Sequence, residues 1–289
     1  MTTLDEDLAR TLARISADEI VAALGLERAP RVVRTAVRTA SFEVSRPLGR
    51  LLARFDARIA ERGLARAAAG AIADLEARFR VEGPAPPEHG PLLVVSNHPG
   101  AYDTLTLLAA LGRDDAAIVA GDRLFLRAMP AFAQKLCFVA ETGGAPTLHR
   151  SNGLRQALRH LRAGGAIVQF GAGRIEPDPA FPSKEPLLAT WLPGTGVLAR
   201  ATAGAGGRVV VALLEGVISP KAKRALLVRL AERRGVTTIA PLLQIAFRRY
   251  HDVAATVHFG GAADASDVVR AGDDAAIAAR LREEALGLR

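Results

Sequence analysis

Two regimes of hydrophobic patterning divide the chain. From residue 4 to residue 79 apolar positions recur at helical spacing among Ala, Leu and Arg, with punctuation at Gly25, Pro30, Pro47 and Gly63. No part of this stretch alternates as a strand does. The Pro/Gly-rich VEGPAPPEHGP, residues 81–91, closes the region as a linker or entry loop. Beyond it, short apolar runs alternate with helical segments. Strands are predicted over 92–96 (LLVVS), 116–120 (AAIVA), 166–170 (AIVQF), 208–214 (RVVVALL) and 254–259 (AATVHF), with a short apolar piece at 137–140. Helices are predicted over 101–111 and 152–163, near 194–203, within 122–136 and 221–248, and from 265 onward. Continuously apolar strands separated by helices predict an α/β domain over residues 81–289, a largely parallel central sheet flanked by helices. An all-helical region over residues 1–80 precedes it.

Composition changes this picture little and charge changes it more. A chain of 289 residues can bury a full core, as one large domain or two small ones. No apolar run approaches the roughly 18 residues of a transmembrane helix, and the polar, acidic start MTTLDEDLAR is unlike a secretory signal. The single cysteine, Cys137, cannot build a disulfide framework, so a reducing cytoplasm is the expected setting. The net charge of +8 is concentrated: residues 28–66 hold ten Arg against Glu43, Asp56 and Glu61, a local excess of +7. From Arg46 to Arg66 arginine recurs every fourth residue, which on a helix drifts about 40° per step. The result is a spiralling stripe backed by Leu48, Leu51, Leu52, Phe55 and Ile59. Such a surface suits an anionic partner: lipid headgroups at a membrane, a phosphorylated substrate, an acidic carrier protein or nucleic acid. Scarce aromatics and the lack of an RNA-recognition or zinc-finger signature argue against specific nucleic-acid readout. A helical layer covering the rest of the protein would use the same pattern.

The candidate chemistry lies in SNHPGAYD, residues 96–103. His98 follows directly on a predicted strand. Pro99 and Gly100 turn the chain, and a helix beginning near Ala101 places Asp103 in its first turn, facing back toward the imidazole. An aspartate on one ring nitrogen fixes the tautomer and leaves the other nitrogen to take a proton from a hydroxyl. Backbone N–H groups at the helix start would be placed to hold an oxyanion or a phosphate. A second glycine-rich strand end, GAGR at 171–174, shares the same sheet edge if both strands are central and parallel.

Asn97-His98-Pro99-Gly100-Ala101-Tyr102-Asp103 resembles the first motif, Asn-His-x-x-x-x-Asp, of the glycerolipid acyltransferases of the lysophosphatidic acid acyltransferase type. Thr147-Leu148-His149-Arg150 is similar to that family's second block, Phe170-Gly171-Ala172-Gly173-Arg174 stands at its Phe-Pro-Glu-Gly-Thr-Arg block, and Val210-Val211-Ala212 at its Val-Pro-Val block. The resemblance covers residues 91–220. It implies an O-acyltransferase of phospholipid biosynthesis or remodelling, with His98 as general base and Asp103 as its orienter. The acyl donor would be acyl-CoA or acyl-carrier protein, a co-substrate rather than a resident cofactor, and the acceptor a lysophospholipid such as 1-acylglycerol-3-phosphate. Arg150, Gly171, Gly173 and Arg174 would contact substrate. Gly171 and Ala172 replace the family's Pro and Glu, and Glu176, four residues beyond Ala172, is the carboxylate offered in exchange. That altered block also motivates an alternative, a non-catalytic lipid- or acyl-chain-binding protein of the same fold. The family's substrates imply a place at the inner face of the cell membrane.

Other patterns lead elsewhere and lack context. Gly194-Thr195-Gly196-Val197-Leu198-Ala199 matches a dinucleotide fingerprint, with Glu215 near the ribose-binding position, but Pro193 and the poor strand LLATWLP precede it. No Gly-x-Ser-x-Gly elbow occurs, and Cys137 in LCFV reads as core, so direct attack is favoured over a covalent acyl-enzyme. His89, His149, His160, His251 and His258 show no zinc-type spacing.

Overall fold

Strand residues that read as continuous apolar runs are buried on both faces of one sheet. The computed structural model describes residues 3–289 apart from 24, 27–28, 101, 140–146 and 233–238, and of residues 3, 4, 23, 147–151, 231 and 232 the backbone alone. Its strands are β1 (Arg78–Glu82), β2 (Leu92–Ser96), β3 (Ala116–Gly121), β4 (Leu136–Val139), β5 (Ala166–Phe170), β6 (Arg208–Glu215), β7 (Ala254–Phe259) and β8 (Ala263–Asp264). They pair in the order β1-β7-β6-β2-β5-β3-β4, with β8 also on β6. The five strands from β6 to β4 are mutually parallel, and β7 and β8 run antiparallel to β6. This is the α/β architecture with a largely parallel sheet that the alternation predicts.

Four helices lie nearest the N-terminal layer and the site: α1 (Thr3–Ala23), α2 (Arg31–Arg62), α3 (Leu64–Asp74) and α4 (Asp103–Leu111). One apolar core holds Leu92 and Val94 of β2 together with α2, α3, α4 and the helices from Pro220 to Ala246. The other holds Leu93 and Val95 together with the helices Thr147–Arg162, Gly194–Gly204, Ala265–Val268 and Asp274–Leu286. The crossover from β2 to β3, through α4, covers the first face, and the crossover from β5 to β6, through Gly194–Gly204, covers the second. The chain therefore leaves β2 and β5 toward opposite faces, and a crevice opens beyond their carboxyl ends.

Three differences from the sequence reading have physical causes. The region expected to be helical through residue 79 ends in β1, which straddles the expected boundary at residue 80 and pairs in parallel with β7. Its sequence, RFRVE, is mostly solvent-facing, and charged side chains on an edge strand hide the strand period while guarding the edge. Pro47 does not break α2, which runs unbroken for 32 residues. The proline is exposed, and the helix is held by α1, against which Gly49 packs so closely that a Cβ there would lie 2.3 Å from the Ala9 carbonyl oxygen. The arginine stripe is not one free face. Arg54 and Arg58 turn onto Asp74 of α3, and Arg46 pairs with Glu43. Arg46 and Arg50 line, with Arg10, Glu6, Ala9 and Phe42, a cavity of about 370 Å³ between α1 and α2.

The second glycine of the dinucleotide-like stretch has a packing role. A Cβ on Gly196 would come within 2.4 Å of the Asp274 backbone, so the residue permits close approach of two helices. Among the described residues no helix is long and apolar enough to cross a membrane. Cys137 is a free, buried thiol, and burial pushes its pKa up to about 11, which suits a core residue and not a nucleophile.

Candidate active site

β2 is the middle strand of the seven-strand path, and its last residue, Ser96, is in register with Phe170 of β5 on one side and Ala212 of β6 on the other. The loops that begin with His98 and Gly171 are thus neighbours, and the Gly171 N–H donates to the Ser96 carbonyl at 2.9 Å.

Asn97 sets how the chain leaves the sheet. Its amide nitrogen donates to the Leu214 carbonyl at 2.9 Å, and its side-chain oxygen accepts the Leu214 N–H at 2.7 Å. The side chain mimics a peptide and continues the β2–β6 pairing after the main chain of β2 has turned away. Fully buried, it has no water to fall back on. Asn97→Ala is therefore expected to leave two buried backbone groups unpaired and to lower stability by about 2–4 kcal/mol. A chemical-denaturation series checks this, and a loss under roughly 0.5 kcal/mol would contradict the clamp.

Gly100 has φ +85°, a left-handed conformation that lets the Pro99-Gly100 turn close. The turn brings Asp103, first residue of α4, back onto the ring. His98 Nδ1 lies 2.7 Å from Asp103 Oδ2. The same carboxylate accepts the Gly100 N–H at 2.6 Å, the Thr104 N–H, and the Thr104 hydroxyl at 3.1 Å. Asp103 is buried, whereas the His98 side chain keeps 28% exposure. Phe170 stacks on the imidazole with centroids 4.3 Å apart and an interplanar angle of 24°. The ring is thus fixed at one nitrogen and along one face, and its Nε2 is the nitrogen left for a ligand.

Electrostatics follow from this geometry. Burial by itself would lower the His98 pKa, but the charge and hydrogen bond of Asp103, helped by Glu176, outweigh it and hold the imidazole above its ordinary value. Burial would likewise raise Asp103, yet His98 and the N–H groups of Gly100 and Thr104 hold its carboxyl below the ordinary value. Four of the amides near the helix start have partners within the loop and helix. Those of Gly100 and Thr104 go to Asp103, and those of Asp103 and Thr106 go to main-chain carbonyls.

Glu176, expected as a substrate contact, is buried, and both of its carboxylate oxygens accept backbone N–H groups. Its Oε2 accepts the His98 N–H at 3.0 Å, its Oε1 accepts the Ala189 N–H at 2.7 Å, and its own N–H donates to the His98 carbonyl at 2.8 Å. Burial raises its pKa, opposed by those two N–H groups and by the charge of His98. Two residues on, the buried Asp178 accepts the N–H groups of Gly216 and Ile218, at 2.7 and 2.9 Å. The strap 174–178 therefore braces the loops after β2 and β6 and the segment before Gly194.

Gly171 is also a structural position. Its N–H and carbonyl are both paired, and a Cβ there would lie 2.3 Å from the Trp191 ring, which occupies the space a larger residue would need. Gly173 takes φ +63° and donates its N–H to the Phe170 carbonyl. Of this block, Arg174 alone is exposed and unpaired among the described residues. Ile175 and Leu192 are exposed beside it and contact the positions of Gly100 and Gly173. They form an apolar rim. Arg150 falls in the first turn of the helix Thr147–Arg162, and its side chain lies outside the described residues.

No protein-family profile matches the sequence, and no curated protein matches it. Among solved structures the chain is similar to the crystal structure of the 1-acyl-sn-glycerophosphate (LPA) acyltransferase, PlsC, from Thermotoga maritima. The identity is 16% and the TM-score 0.46, over 84% of this chain and 96% of that one.

Proposed function

We propose that the protein is an O-acyltransferase that moves a fatty acyl group from an acyl thioester to a hydroxyl of a lysophospholipid such as 1-acylglycerol-3-phosphate. The observation that carries this reading is the His98–Asp103 pair: a buried carboxylate 2.7 Å from Nδ1 of a partly exposed imidazole, at the carboxyl edge of the central strand. With the Nδ1 proton held by Asp103, the Nε2 lone pair accepts the proton of the acceptor hydroxyl. The resulting oxygen nucleophile attacks the thioester carbonyl carbon, the C–S bond breaks, and the departing thiolate takes the proton back from the imidazolium. An ester and a free thiol are the products.

The neighbouring side chains suit these substrates. Arg174 is the available guanidinium for the acceptor's phosphate, since it can bind two phosphate oxygens at once. Ile175 and Leu192 offer an apolar rim to an acyl chain. A serine nucleophile is disfavoured: Ser96, the nearest in sequence to His98, is fully buried with its hydroxyl on Asn97. The donor is acyl-CoA or acyl-carrier protein, and the acceptor places the reaction at the inner face of the cell membrane.

The test is to incubate purified protein with labelled acyl-CoA or acyl-carrier protein and a panel of lysophospholipids, and to identify ester products by mass spectrometry. Ester formation that depends on His98 supports the reading. Absence of product from both donors, or equal product from wild type and His98→Ala, sinks it.

A further inference from the structure

Among the described residues the exposed large apolar side chains lie on α2, on β1, at Leu124, on the segment from Leu226 to Phe247, and at the rim formed by Ile175 and Leu192. None lies on the helices Gly194–Gly204, Ala265–Val268 or Asp274–Leu286 that cover the opposite face. The densest group is on the short helix Leu226–Glu232. Leu226 is 71% exposed, Leu227 60% and Leu230 49%, while Val228 between them is fully buried in the core. Val228 seats the helix on the body of the protein, and the three leucines are turned outward.

The charge of this segment is of one sign: residues 220–230 carry Lys221, Lys223, Arg224 and Arg229 and no acidic residue. The leucine helix is also tied to the site. It follows the loop after β6, whose Gly216 and Ile218 N–H groups are held by Asp178, and Lys223 lies 5.9 Å from the ring centroid of Phe181, three residues beyond the strap 174–178. Gln244 joins the two parts, accepting the Ser219 N–H with its side chain and the Tyr102 hydroxyl with its carbonyl.

We propose that the segment from Pro220 to Leu230 docks the protein onto the surface of an anionic lipid bilayer, with Leu226, Leu227 and Leu230 entering the interfacial layer and the four cations meeting the headgroups. Three adjacent leucines ringed by cations match a surface that is apolar just beneath a negative layer. The inference rests on the acyltransferase reading for its purpose, because docking here would bring the His98 crevice to an acceptor held in the bilayer. Its test does not depend on turnover.

Flotation of the full chain with vesicles of phosphatidylcholine, alone or mixed with phosphatidylglycerol, is the experiment. The wild type is expected to float with the mixed vesicles, and L226Q/L227Q/L230Q to bind them about tenfold more weakly or worse. Because three substitutions can harm folding, Leu227→Trp gives a second readout: its emission should shift to the blue with anionic vesicles and be quenched by brominated lipid. Trp191 is buried and serves as the constant background. No flotation of the wild type, undiminished binding by the triple variant, or emission from the Leu227→Trp variant that brominated lipid leaves unquenched overturns the proposal. So does loss of binding in R50Q/R54Q/R58Q with the leucines intact, which would move docking to α2. A wild-type dimer lost in the triple variant, or binding to acidic carrier protein without binding to vesicles, would assign the leucines to another occupant and equally overturn it. Flotation without acyl transfer leaves docking standing and sinks the enzymatic reading, and transfer to a monomeric acceptor without flotation does the reverse.

Discussion

His98→Ala is expected to lower the rate of acyl transfer by about 10²- to 10⁴-fold, the range for loss of a positioned general base. Asp103→Asn should cost a similar factor by another route. An amide offers Nδ1 a donor as readily as an acceptor, so the proton can move to Nε2, the nitrogen that must be bare. The two variants separate in their pH profiles. A base works when deprotonated, so kcat/KM of the wild type rises with pH through the raised pKa of His98, above the ordinary histidine value. With the Asp103 charge removed, burial acts on the imidazole with less opposition, and the acidic limb in Asp103→Asn should move to lower pH. A limb that stays in place or moves upward would contradict the coupling. Stability carries the same signature. The raised His98 pKa stabilises the fold below the ordinary histidine pKa, and this is lost as pH rises through the raised value. The lowered Asp103 pKa stabilises above the ordinary aspartate pKa, and this is lost as pH falls through the depressed value. Both contributions are complete between about pH 4 and 6.5, where the pair's effect on the melting temperature should be greatest.

Glu176→Gln is the second large effect. Two carboxylate oxygens accept N–H groups from His98 and Ala189, and a glutamine can present only one oxygen, so its NH₂ must face an N–H donor. The expected cost is about 1–3 kcal/mol of stability. Transfer should also slow, because the peptide that carries His98 loses its brace. A positioning role and a merely structural one differ in the pH profile. Glu176 is among the charges that raise His98, so its neutralisation should shift the acidic limb to lower pH, in the same direction as Asp103→Asn and by less. Lost stability with an unmoved limb would reduce Glu176 to scaffolding.

What the sequence made legible divides by range. β2, β5 and β6 are buried along nearly their whole length, and continuous apolar runs of that kind announce themselves. β1 hid because an edge strand with alternating charge looks like the end of a helix, and α2 passes Pro47 because tertiary packing against α1 outweighs one lost hydrogen bond. The approach of Asp103 to His98 was legible because five residues and a Pro-Gly turn contain all of it. The partners that hold this pair in place were not: Leu214 is 117 positions from Asn97, Glu176 is 78 from His98, and Ile218 is 40 from Asp178. Nothing local marks Glu176 as a brace rather than a ligand contact, and nothing local shows that Trp191 is why residue 171 is glycine.

The strap bearing Glu176 and Asp178 also determines how the site loses order. The amides of His98, Ala189, Gly216 and Ile218 belong to three separate stretches of chain, yet each ends on a carboxylate within three residues of strap. Opening the strap frees all of them at once, whereas opening any one loop leaves the rest anchored. In native-state hydrogen exchange the four amides should therefore share one opening free energy and behave as a single cooperative unit. The crevice is then assembled or absent as a whole.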